Sequence, residues 1–75
     1  MTTRHYHINL FWSAEDKAWI ADVPDLKSCS AHGASPAQAL AEVEKAMVAW
    51  IEVAREEGHA IPPPRYRPAI YATRA

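Results

Sequence analysis

The sequence predicts an α+β fold of two layers, ordered strand-strand-strand-helix with a short tail. Three observations carry this: an alternating first stretch, a second stretch cut off by a proline, and one long amphipathic segment with its own start and stop signals.

In HYHINLFW, residues 5–12, Tyr6, Ile8, Leu10 and Trp12 fall on one face and His5, His7, Asn9 and Phe11 on the other. That is the period of a half-buried strand. The polar stretch SAEDK follows at 13–17, and AWIADV then supplies a second strand over 18–23, where Trp19, Ala21 and Val23 alternate with Ile20 and Asp22. The two are expected to pair as an antiparallel hairpin. Pro24 has no amide hydrogen for a ladder, so the second strand ends there or lies on an edge. The stretch PDLKS reads as a turn or bulge, in which Asp25 is expected to bond local backbone. A short third strand follows at about 28–32, closed by Gly33 for its backbone freedom.

The strongest local signal is SPAQALAEVEKAMVAWIEVAREEG. Ser35 is an N-cap residue, Pro36 occupies the first helical position, where a missing donor is harmless, and Gln38 completes an S-x-x-Q capping box. Leu40, Val43, Met47, Trp50, Ile51 and Ala54 form the apolar stripe of a helix over about 36–57. Gly58 stands where a helix ends, and Pro62-Pro63-Pro64 forbids continuation. In the tail, residues 69–72 are read as a last strand or as a clasp on a neighbouring subunit.

Seventy-five residues with 49% hydrophobic and 23% charged content describe one soluble domain spanning 1–75. A chain this short buries a modest share of its surface and ordinarily needs disulfides, a metal or a partner subunit. Cys29 is the only cysteine, and no Cys/His spacing resembles a zinc site, so self-association as a dimer or larger is expected, with no metal and no cofactor. The chain offers neither an apolar run that would span a bilayer nor the apolar core of a secretory signal. A cytoplasmic protein without membrane contact is expected. Residues 1–64 hold all nine acids against five Lys and Arg, a balance of -4, whereas residues 65–75 carry Arg65, Arg67 and Arg74 and no acid. An acidic body of this kind suits a basic protein partner better than a phosphate backbone.

Few residues invite chemistry. His5 and His7 share a strand face and so could aim two imidazoles at a metal, but no further ligand is evident, and two solvent-facing histidines are the simpler reading. Cys29 needs a neighbouring base to act as a nucleophile, and it reads instead as a small buried residue. The serines sit in no nucleophile-elbow setting, and two glycines do not make a phosphate-binding loop. Trp12, Trp19 and Trp50 read as core. Phe11 and Ile20 differ: by alternation they point away from the helix-covered face and remain apolar, which makes them the candidate oligomer interface. No catalytic residue is expected.

Taken in order, Tyr6 on the first strand, Val23-Pro24-Asp25-Leu26 after the second, Cys29, Gly33, the capped Ala39-Leu40 helix, Ala46 and Trp50, and Gly58 followed by Ile61-Pro62 resemble the HicB family of antitoxins over about residues 6–64. The resemblance implies a partial ribonuclease H-like fold that has lost catalysis; metal-dependent nucleases of that fold need several converging acids, and the first strand here has none. It also implies a partner, a small basic RNA-cleaving HicA-type toxin whose active site the antitoxin shields. Departures from the family pattern are Lys27-Ser28, where members often have Pro-Gly, and Ser35-Pro36-Ala37-Gln38 in place of Thr-x-x-Glu. Full-length members also carry a C-terminal DNA-binding domain, which the 17 residues after Gly58 are too few to form, so direct DNA binding is not expected. The alternative is an orphan HicB-like structural or ligand-binding oligomer with no toxin.

Overall fold

The computed structural model describes residues 5–67. Its elements are β1 (Asn9–Ser13), β2 (Ala18–Asp22), β3 (Ser30–Gly33) and α1 (Pro36–Glu56), and the strands form one antiparallel sheet in the order β1-β2-β3 with α1 packed on it. The expected α+β class with three strands and one helix is therefore present. The expected last strand or clasp at 69–72 lies outside the described residues.

The hairpin register pairs Asn9 with Asp22, Phe11 with Ile20 and Ser13 with Ala18. The Ser13 hydroxyl accepts from the Asp16 amide at 3.2 Å and donates to its carboxylate at 3.0 Å, which closes the turn, while Lys17 takes the left-handed conformation at φ 51°. Two strand bounds differ from expectation. β1 starts at Asn9 rather than near residue 5, because β2 stops at Asp22 before Pro24 and its ladder with β1 ends at the Asn9–Asp22 pair. Tyr6 and Ile8 nonetheless turn into the core, so the alternation persists without the ladder. β3 begins at Ser30, and the segment before it folds back on itself: the Val23 amide donates to the Cys29 carbonyl at 3.0 Å, Leu26 to Val23 at 3.1 Å, and Cys29 to Leu26 at 3.1 Å.

The capping box forms with a small change of partner. Ser35 Oγ accepts from the Gln38 amide at 3.1 Å, and the Gln38 side chain accepts from the amide of Ala34 at 2.7 Å. At the other end, His59 N donates to the Ala54 carbonyl at 2.8 Å and Gly58 N to Arg55 at 3.2 Å, with Gly58 at φ 73°. These two bonds around a left-handed glycine are a Schellman motif, which is why Gly58 stands there.

Ala39, Val43, Met47, Ile51 and Ala54 form the buried face of α1, so the stripe begins at Ala39 and not at Leu40, which is 37% exposed. Gly33 supplies the reason. A Cβ on Gly33 would lie 2.6 Å from the backbone nitrogen of Ala39, so the first turn of α1 rests directly on β3 and only a small residue fits at position 39. Gly33 thus answers a close approach, not a need for unusual dihedral angles; Gly58 alone has the positive φ among the glycines. Tyr6, Ala21, Val23, Leu26 and Cys29 complete the core, with Ile8, Trp19, Trp50 and Ile61 packed against it.

The helix lies chiefly over β3 and β2 and touches β1 least. The consequence is a correction for Trp12, expected in the core: it is 51% exposed, and its ring meets that of Trp19 edge-on at 5.8 Å between centroids.

Candidate functional site

The positions that carry the family resemblance prove to be the framework of the molecule. Tyr6, Val23, Leu26, Cys29 and Ala39 are buried, Trp50 and Ile61 pack against them, and the Tyr6 hydroxyl donates to the Pro62 carbonyl. Pro24 is exposed in the turn that follows β2. Asp25 was expected to bond its own turn. Its carboxylate instead accepts from the backbone amides of Arg65 at 3.0 Å and Tyr66 at 3.0 and 3.2 Å, so it holds the chain that leaves the helix against the turn after β2.

That same turn forms one wall of a groove of about 490 Å³. Ser28, Cys29 and Ser30 line one side; Ala46, Ala49, Trp50 and Val53 of α1 line the other, with Glu57 and His59 at its end. The groove exists because two alanines on the flank of α1 leave space beside Trp50, and because Trp50 Nε1 donates to the Lys27 carbonyl at 3.0 Å, fixing the turn relative to the helix. Ser28 stands on its rim at φ 62°, in the left-handed region that favours glycine. The lining is mostly apolar, and Val53 is 49% exposed.

One carboxylate, Glu57, lines this apolar strip, and others are spread around the exposed surface of the helix. Glu44, Glu52, Glu56 and Glu57 are exposed, Glu42 is half-buried, and the helix and its cap offer only Lys45 and Arg55 against them. Lys45 is engaged by Glu42 at 3.3 Å, and Glu57 lies 3.2 Å from His59 Nε2. The exposed surface of the helix is therefore acidic, and of its carboxylates Glu57 reaches the groove.

The remaining candidates occupy separate settings. His7 shares a hydrogen bond of 2.7 Å with Asn9 Oδ1 and a ring contact of 4.6 Å with Tyr66, while His5 is exposed. Among the described residues no three His, Cys, Asp or Glu side chains gather into a metal-binding group. Cys29 is 3% exposed, and burial, helped by the Asp22 carboxylate, pushes its thiol above the ordinary value, so it is held protonated. Phe11 and Ile20 are cross-strand partners on the sheet face away from α1, with His32 beside Ile20 on β3; Phe11 is 48% exposed and Ile20 half-buried. A second, shallow depression of about 850 Å³ runs along β3 and the first half of α1, where Lys17, Glu42 and Lys45 leave it with mixed charge. No helix among the described residues is long and apolar enough to cross a membrane.

Sequence reasoning found Trp50 but not the groove beside it. The available signal was the pair Ala46 and Ala49 on the helix flank that also carries Trp50 and Val53. No protein-family profile, curated protein or solved structure matches the chain.

Proposed function

We propose that this chain is a HicB-like antitoxin module, a partial ribonuclease H-like fold without catalytic activity or cofactor. It neutralises a small basic RNA-cleaving toxin of the HicA type by protein contact in the cytoplasm, as a dimer or larger assembly. The observation that carries the reading is the apolar groove beside Trp50, with Glu57 at its end, on a helix whose exposed surface is acidic. An aliphatic or aromatic side chain of the toxin enters between Ala49 and Ser30, while its Lys and Arg side chains meet the carboxylates. Such an arrangement supplies burial at the centre and charge attraction at the rim, which speeds encounter and selects a basic partner. The left-handed Ser28 supports the family reading, since it stands where members often carry glycine.

Affinity purification of the tagged chain from its native host, followed by mass spectrometry and an RNA-cleavage assay, tests the proposal. The expected result is a stoichiometric small basic protein whose RNA cleavage is suppressed while the complex is intact. Recovery of the chain by itself would favour the orphan oligomer, for which the specific support is the exposed apolar strand β1.

A further inference from the structure

The groove beside Trp50 lies along one edge of the sheet. β3 (Ser30–Gly33) pairs with β2 on one side and has no strand on the other among the described residues. It contains no proline and no Lys, Arg, Asp or Glu, the usual means of blunting an edge. Both ends of the described chain stand away from it: Tyr66 rests on His7 at 4.6 Å between ring centroids, just ahead of β1, and β2 lies between β1 and β3. The shallow depression along β3 and the groove beside Trp50 share Ser30 and Ala46, so together they form one trough between the open edge and the flank of α1. The trough is polarised. Lys17 stands at its Gly33 end, where Lys45 is paired with Glu42, and Glu57 stands at the other.

We infer that an extended segment of the basic partner adds to β3 as a further, antiparallel strand and lays alternate side chains in the trough, in the pattern apolar-x-apolar-x-Lys/Arg. The inference rests on the reading of the groove as the partner-binding surface and names what enters it. The outward backbone groups of alternate β3 residues supply main-chain bonds, and an antiparallel neighbour continues the pairing of the whole sheet. α1 starts just after Gly33 and runs back past Ser28–Ser30, so a strand antiparallel to β3 runs in the direction of α1. The spacings then agree. Side chains two apart on a strand are about 6.8 Å apart, and Ala49, Val53 and Glu57, each four residues further along the helix, follow one another at about 6 Å. Successive trough-facing side chains therefore meet Ala49, Val53 and Glu57 in turn, with Trp50 as the wall of the first two places. Apolar groups suit those two, and a cation suits the third. A strand laid the other way would bring its cation to Lys17, so the charge also sets the direction.

Selection of random heptapeptides displayed on phage against the purified chain tests this without any toxin. Enriched sequences should share the apolar-x-apolar-x-Lys/Arg pattern, and the best of them, synthesised as a free peptide, should slow hydrogen exchange at the amides of β3. N-methylation of every second peptide amide should cut affinity by about tenfold or more in one phase and leave it within about twofold in the other, because only alternate groups face β3. Val53→Lys, at a position 49% exposed, should abolish binding. Glu57→Lys should lose the peptide and regain it when the peptide's Lys or Arg is replaced by Glu; circular dichroism checks that both variants are folded. Selection without a shared pattern, equal loss in both methylation phases, or binding that survives Val53→Lys overturns strand addition. A toxin silenced by a chain that takes no such peptide would leave the antitoxin reading standing and the inference refuted, whereas peptide binding with no toxin in the host would do the reverse.

Discussion

Replacing Gly33 by alanine adds one methyl group at the point where sheet and helix touch. The new Cβ would lie 2.6 Å from Ala39 N and 2.9 Å from the Gln38 carbonyl carbon and Cβ, whereas ordinary contact begins at 3.4 Å, so something must move by about 0.8 Å. Two of the three atoms are backbone of the first turn of α1, held by the Ser35 and Gln38 cap bonds, and no rotamer change relieves them. The helix must lift from β3, which loosens Ala39 and Val43, both fully buried. Overpacking of this kind costs about 1–3 kcal/mol. In a domain of this size a loss of about 2 kcal/mol lowers the melting temperature by roughly 8–16 °C. Thermal and urea unfolding followed by circular dichroism measures it, with Gly58→Ala as a control that has open space around it and a purely conformational cost from φ 73°, about 1–2 kcal/mol. A melting temperature for Gly33→Ala equal to or above wild type would refute the reasoning, because a relaxed site would show only the gain of about 0.4–1 kcal/mol from a less flexible unfolded chain.

Three further outcomes are expected. Asp25→Ala removes the acceptor of the Arg65 and Tyr66 amides; a loss of about 1–2 kcal/mol in urea unfolding and faster tryptic cleavage after Arg65 are expected, and unchanged cleavage would contradict the role given to the carboxylate. Ser28→Gly relieves the left-handed conformation at φ 62° and should raise stability by about 0.5–1 kcal/mol, read as a higher urea midpoint at constant slope. The folded-state pKa of Cys29 is raised, so the folded protein keeps its proton where the unfolded chain has begun to lose it. Its contribution is therefore whole below the ordinary thiol range and is lost as pH rises through that range toward the folded value; the pH dependence should weaken in Cys29→Ala, and native Cys29 should react with a thiol reagent only as fast as the protein opens.

The parts of the fold legible in the sequence were those whose causes lie close together along the chain. Ser35, Pro36 and Gln38 announce the helix start, Gly58 its end, and Pro24 the end of β2, each through local backbone chemistry. The rest depended on contacts between distant residues. Alternation alone puts Trp12 inward, but whether the inward face is covered depends on which strands the helix crosses, and it crosses β2 and β3. Asp25 looked like a turn former because its partners, Arg65 and Tyr66, lie 40 and 41 residues away. Leu40 fits a helical stripe as well as Ala39 does; the choice is made by Gly33, which brings the backbones together. The groove was hidden for a related reason, since two alanines signal a depression only when a wall such as Ser28–Ser30 stands opposite them.

The proposed neutralisation meets its most direct test in an RNA-cleavage titration, with the basic partner recovered from the native host as the ribonuclease. Wild-type chain should silence cleavage at a stoichiometric ratio. The triple variant Glu52→Lys, Glu56→Lys and Glu57→Lys changes only exposed side chains at the C-terminal end of α1, Glu57 among them at the groove, so it should stay folded yet need a large excess, with the difference shrinking as salt is raised. Equal inhibition by the two proteins, or no inhibition by either, would contradict the assignment of this acidic groove as the surface that binds and silences a toxin.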